Sequence, residues 1–144
     1  SALYCPNNEL DAAIALTTAE NLGTSTPENG YGKPVSTTAK ATLNMKVQKY
    51  GRTTGHTHGS VTGIRATINV NYRTGQARFV NQIVVTGRGA FSQGGDSGSL
   101  IVTEAPDDKD RQPVALLFAG SNTSTIANPI DPVLERFGIT IDGS

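Results

Sequence analysis

The sequence predicts an all-β domain: six or so antiparallel strands closing into a small β-barrel, with one short helix near the C-terminal end. Three observations carry that expectation. Thr, Val and Ile make up about a quarter of the chain, and these β-branched types suit pleated, half-buried surfaces. The 16 glycines and 7 prolines are spaced as turns and not gathered into a repeat. Apolar and polar residues alternate with period two over long stretches, the pattern of a strand with one face in a core. A chain of 144 residues has room for one core, so residues 1–144 are read as a single domain.

Taken in order, residues 10–17 are expected to form a short, mostly buried strand with one carboxylate, Asp11, near its start. Residues 20–34 are turn formers and make an exposed loop. In 43–50, Leu43, Met45 and Val47 alternate with Asn44, Lys46 and Gln48. In 60–72, Ile64, Ala66, Ile68, Val70 and Tyr72 alternate with Arg65, Thr67, Asn69 and Asn71, a strong strand signal. A hairpin turn at 73–76 leads into 77–86, where Phe79, Ile83 and Val85 share a face. A Gly-rich loop at 87–98 precedes a strand at 99–103, an acidic turn at 104–110 and a buried strand at 114–121. Residues 128–138 predict a short helix, with a proline in the first turn and Ile130, Val133, Leu134 and Phe137 on one face. Gly138 is its C-terminal stop.

Composition excludes several function classes. Twelve basic and twelve acidic residues balance to zero net charge, so no general affinity for polyanions follows. A hydrophobic fraction of 36% with 17% charged residues is too apolar for a disordered chain and far short of a membrane protein. The apolar run at 114–119 is much shorter than the roughly 20 residues a spanning helix needs, and no membrane partner is expected. No basic-then-apolar leader opens the sequence, so no retained signal peptide or other targeting segment is expected. The single cysteine, Cys5, allows no disulfide within the chain, which favours a bacterial or intracellular protein. It reads either as a buried small apolar residue or as half of a bond to another chain. A lone cysteine supports no metal site, and no metal or cofactor is expected.

Charge is unevenly placed. Between Asn29 and Gly95 there are nine basic residues and no acidic one, whereas residues 1–28 carry four acids and no base. A basic face over 33–88 could address nucleic acid. No aromatic residues interleave the basic ones as a stacking platform requires. The reading adopted is that of polar strand faces neutralised by acidic loops.

The segment 93–100 carries the chemistry. Gly94, Gly95, Asp96, Ser97, Gly98 and Ser99 follow one another between two strands. A serine nucleophile needs its hydroxyl on a tight turn and backbone N–H groups converging where an oxyanion forms. Flanking glycines permit that backbone. A simple Gly-Asp-Ser turn between strands would look the same over so few residues.

Residues 95–100 resemble the nucleophile loop of the trypsin-like, chymotrypsin-fold serine endopeptidases of bacterial type. Asp11 and the small apolar residues after it resemble the strand presenting that family's catalytic aspartate. Residues 51–61 resemble the Gly- and Thr-rich hairpin opening its second barrel, residues 117–121 fall where its substrate-pairing strand lies, and the terminal helix matches as well. The resemblance implies a six-stranded antiparallel Greek-key barrel, the second barrel of such a protease. It implies Ser97 as nucleophile, Gly95 and Ser97 N–H groups as oxyanion hole, and Asp11 as the acid orienting a histidine. Phe91, six residues before the nucleophile, falls at the pocket floor. Phe118, Ala119 and Gly120 fall on the substrate-binding strand. Asp96 matches an acid that in many members receives a freed N-terminal amine; here it either does so or simply holds the loop.

One part departs from the family order of His, Asp, Ser. No histidine precedes Asp11, and the two present, His56 and His58, follow it. Their i, i+2 spacing puts them on one strand face, where they fit a surface pair, a weak metal site or substrate-loop residues. The surface pair is the reading adopted. The resemblance therefore implies that the catalytic histidine belongs to a first barrel outside this chain, an N-terminal half of the same protease, and that the chain alone is inactive. Peptide or protein is the implied substrate. No carboxylate occurs in 87–92, so the pocket is expected to take a small or apolar side chain. The alternative is a non-catalytic peptide-binding or scaffolding barrel.

Overall fold

A computed structural model describes residues 7–8, 10–13, 15–18, 20 and 22–143. Its strands are β1 (Asn7–Asn8), β2 (Lys46–Gly51), β3 (Gly55–Tyr72), β4 (Gly75–Gly87), β5 (Leu100–Thr103), β6 (Pro113–Gly120) and β7 (Thr125–Pro129), followed by α1 (Ile130–Phe137). Strands β2 to β7 pair antiparallel in the order β4-β3-β2-β5-β6-β7, and β7 pairs back onto β4, so the sheet closes. Strand β5 crosses over to lie beside β2 instead of β4, which makes β5-β2-β3-β4 a Greek key. The expected six-stranded barrel with a C-terminal helix is the observed fold.

The barrel interior is the period-two face of these strands. Val47, Val61, Ile83, Val85, Ile101 and Val114 are among its core, all under 4% exposed. The β3–β4 hairpin turns over at Arg73 and Thr74, as its sequence predicts. Register shifts between Val61 and Ile68, with Arg65 and Asn81 at positive φ of 52° and 59°, bend this long ribbon. Its far half reaches out to set Phe79 against Phe118, ring centroids 4.7 Å apart. Helix α1 buries Ile130 and Val133, and Asp131 in its first turn and Arg136 in its last suit the helix dipole. Gly138 ends it with φ 63°, its N–H bonded back to Glu135 and Leu134 carbonyls.

Three expectations need correction. Residues 10–13 and 15–18 form no strand, and Leu16 is wholly exposed. A closed ring offers no free edge there; β1 adds only two parallel residues, Asn7–Asn8, to the part of β4 that β7 does not reach. Strand β2 starts at Lys46, not residue 43, because a turn bonds Met45 N–H to the Thr42 carbonyl and leaves Asn44 at φ 69°. Leu43 is 56% exposed as a result. Residues 125–129 form the closing strand β7, so the helix begins at Ile130 and not at Asn128. Cys5 and Ile14 lie outside the described residues.

Candidate active site

Ser97 stands exposed on the loop joining β4 to β5. Gly95 and Gly98 on either side hold φ of 97° and 88°, which a residue with a side chain adopts only with strain. Two turns build the loop: Asp96 N–H donates to the Gln93 carbonyl at 3.1 Å, and Ser99 donates to the Asp96 carbonyl from N–H at 3.0 Å and from Oγ at 2.6 Å. Beyond it, Gly98 N–H meets the Leu117 carbonyl at 2.8 Å and Leu117 N–H meets the Ser99 carbonyl at 2.9 Å, strapping the loop to β6. The N–H groups of Gly95 and Ser97 donate to no acceptor among the described residues. Ser97 Oγ donates to the Phe118 carbonyl at 3.1 Å.

Asp96 fixes this loop from beneath. It is fully buried. Its Oδ1 accepts from the N–H groups of Thr53 and Thr54 at 2.8 and 3.2 Å, and its Oδ2 accepts from Thr54 Oγ1 at 2.7 Å and Gln93 N–H at 2.9 Å. Burial alone would raise its pKa. The bonds from the Thr54 hydroxyl and from the backbone of Gln93, Thr53 and Thr54 outweigh that and hold it at about 2. Of the two roles sequence left open, holding the loop is the one these bonds perform.

The sequence reading missed Lys49. It is fully buried and its Nζ donates to Thr54 Oγ1 at 2.6 Å and to the Gly55 carbonyl at 2.9 Å, 5.5 Å from the centre of the Phe91 ring. The Thr54 hydroxyl thus accepts from the cation and donates to the carboxylate, bridging two buried charges. Burial lowers the Lys49 pKa, and the Asp96 charge works against that shift. The signal was present: continuing the 43–47 alternation sets Lys49 on the inward face, where a lysine needs a partner.

Asp11 is exposed, and its backbone is held by the buried side chain of Asn128: Asp11 N–H donates to Oδ1 at 3.2 Å and Nδ2 donates to the Asp11 carbonyl at 3.0 Å. No hydrogen bond joins Asp11 to Ser97 among the described residues. Phe118 and Ala119 are half-buried and Gly120 is exposed on β6, while Phe91 is 3% exposed and packs within the barrel core. His56 and His58 touch neither Ser97 nor Asp11. His56 Nε2 lies 2.8 Å from Gln48 Oε1, His58 Nδ1 lies 2.8 Å from Glu104 Oε2, and the two rings are 4.5 Å apart. Burial, helped by the charges of His58 and Lys49 and opposed by Glu104, lowers the His56 pKa. Among the described residues, no three His, Cys, Asp or Glu gather as a metal site, and no helix is long and apolar enough to cross a membrane.

The family described as "Nal1 C-terminal domain" matches residues 30–128. The protein NARROW LEAF 1 of Oryza sativa subsp. japonica is 32% identical over 80 residues, 55% of this chain; the chain spans 13% of that protein's length. The fold is similar to solved serine proteases. A glutamic-acid-specific serine protease that uses a histidine triad in substrate binding is 28% identical, with a TM-score of 0.61 over 83% of this chain and 59% of that one. Cellulomonas bogoriensis chymotrypsin is 24% identical, with a TM-score of 0.67 over 89% of this chain and 67% of that one. Thermobifida fusca protease A is 25% identical, with a TM-score of 0.64 over 81% of this chain and 59% of that one. The barrel is thus a protease-fold domain, while the family and the curated relative bear the Nal1 description.

Proposed function

The chain belongs to the Nal1 C-terminal domain family, and we propose that it is the nucleophile-bearing barrel of a serine endopeptidase. Ser97 is the nucleophile, the N–H groups of Gly95 and Ser97 form the oxyanion hole, and Asp11 orients a histidine supplied from outside these residues by an N-terminal barrel of the same protease. One observation carries the reading: an exposed serine hydroxyl flanked by two left-handed glycines, with two unbonded N–H groups, on a loop locked by a buried carboxylate.

In the reaction a base takes the Ser97 Oγ proton as Oγ bonds to the substrate carbonyl carbon. The oxyanion settles on the two N–H groups. The C–N bond then breaks as the leaving amine takes the proton, and water hydrolyses the acyl ester to restore Ser97. The substrate backbone lies along Phe118, Ala119 and Gly120 with Phe91 beneath. Asp11 is anchored through its backbone at Asn128 on β7, and Ser97 through its hydroxyl at Phe118 on the neighbouring β6.

A fluorophosphonate probe added to the longest natural form of the protein is expected to label Ser97, and a protein that stays unlabelled there refutes the reading. A second reading, a non-catalytic peptide-binding or scaffolding barrel, is favoured by the Ser97 hydroxyl resting on a carbonyl with both histidines bonded elsewhere. It expects Ser97→Ala to leave the biological activity intact.

A further inference from the structure

Ser97 Oγ reaches the Phe118 carbonyl, and two residues along the same strand Gly120 abuts Ser92, with Thr125 of β7 bonded behind it, so Ser92 and 118–120 form the two walls beside Ser97. Ser92 and Thr125 have no solvent exposure, and Phe91 and Leu117 keep 3% each. Side chains without exposure border no void large enough for water. Ser92 Oγ and Thr125 Oγ1 share a hydrogen bond of 2.5 Å, and Thr125 pairs with Gly120 across the β6–β7 ladder. The first wall is therefore tied to the strand that carries the second. The two walls also touch: a Cβ built on Gly120 would overlap Ser92 Oγ and lie 3.5 Å from Ser92 Cβ. Next to Ser92, the Phe91 ring is packed within the core with Lys49 Nζ over its face.

We infer that the subsite for the residue before the scissile bond is closed by the Ser92–Thr125 hydroxyl clasp against Gly120, and that the enzyme cleaves after Gly, Ala or Ser; this rests on the endopeptidase reading above. A methyl-sized side chain can rest at the mouth on Ala119 and Gly120. A Leu or Phe side chain must break the hydroxyl clasp and push β6 into a packed core. Lys or Arg meets no free carboxylate, since all four bonds to Asp96 come from the loop and its hairpin. Ser92 and Thr125 are thus specificity-determining residues.

The test uses internally quenched peptides that differ only in the residue before the scissile bond, with the longest natural form of the protein. Ala is expected to give the highest kcat/KM, and Leu and Phe are expected to fall about thirtyfold or more below it. Ser92→Gly removes the hydroxyl and Cβ from the base and is expected to raise the Val-to-Ala ratio about tenfold. A native preference for Leu or Phe overturns the inference, as does a Ser92→Gly variant that still labels with fluorophosphonate yet keeps the native ratio. Absence of labelling at Ser97 takes down the endopeptidase reading and this inference with it. Labelling combined with a large-residue preference takes down this inference alone.

Discussion

Asp96→Asn tests the origin of the order in the loop that carries Ser97. The change keeps the side chain's shape but turns one oxygen into a donor. Four donors now point at the carboxylate, two at each oxygen. Whichever way the amide lies, its NH2 faces at least one backbone N–H, and a buried N–H left unpaired costs about 1–3 kcal/mol. The ionisation of Asp96 reports the same four bonds. The folded pKa of about 2 lies below the ordinary 3.8, so ionised Asp96 favours the folded state by about 2 kcal/mol at neutral pH. The sign follows from the direction of the shift: a depressed carboxylate contributes fully above its unfolded pKa and loses that contribution as pH falls through its folded pKa. Because the same four bonds depress the pKa and go partly unmet in the variant, the two figures describe one cost, and Asp96→Asn at pH 7 is expected to lose about 2–3 kcal/mol. At pH 3 the gap between native and variant should narrow by about 1 kcal/mol, because the unfolded carboxyl is then mostly protonated. Equilibrium urea denaturation at the two pH values measures both numbers. A cost below about 1 kcal/mol at pH 7, or a gap that does not change with pH, refutes the account of the clamp.

Other changes read out neighbouring parts of the structure. Lys49→Met strips the donor from Thr54 Oγ1 and the Gly55 carbonyl and removes the charge that faces Asp96 through Thr54; denaturation should show a loss of about 2–4 kcal/mol, and NMR titration a raised Asp96 pKa. Thr54→Val removes the hydroxyl bridge alone and should cost about 1–2 kcal/mol by the same denaturation assay. Asn128→Ala releases both bonds to the Asp11 backbone, so limited proteolysis should cut near residue 11 faster than in the native protein. Glu104→Gln breaks the pair with His58, whose side chains are 56% and 41% exposed; thermal unfolding should register no more than about 0.5 kcal/mol.

What the sequence made legible was local. The alternation in 60–72 and 77–86 specifies a two-faced ribbon whatever it pairs with, and β3 and β4 followed it. The helix was legible because its apolar face and Gly138 lie within nine residues of one another. Strand β7 was not, because its five residues run directly into that helix and only their pairing with β6 and with Ile83–Val85 of β4 makes them a strand. Residues 10–17 were apolar enough for a strand, but pairing needs an edge, and closure of β7 on β4 leaves little of one. The site divides the same way. Gly95, Ser97 and Gly98 were visible as a short contiguous motif. The clamp was not, since Thr53 and Thr54 meet Asp96 from more than forty positions away, and a long-range hydrogen bond leaves no mark on composition or period.

The loop that carries Ser97 meets two opposed demands. Its shape needs glycine at 95 and 98, and each glycine brings backbone freedom that costs about 0.5–1 kcal/mol to freeze. A loop held by that sequence alone would sample many conformations and present the hydroxyl and the two N–H groups in few of them. Hydrogen bonds to a charged acceptor contribute about 1.5–3 kcal/mol each, and Asp96 accepts four. Even two of them exceed the entropy of both glycines. Such a carboxylate can be buried only with compensation, and Lys49 supplies it through the Thr54 hydroxyl from the barrel side of the hairpin. The glycines therefore set the loop's shape while Asp96, Thr54 and Lys49 make it the shape that is populated. The Ser97 hydroxyl and the free N–H groups of Gly95 and Ser97 are thereby held in one arrangement.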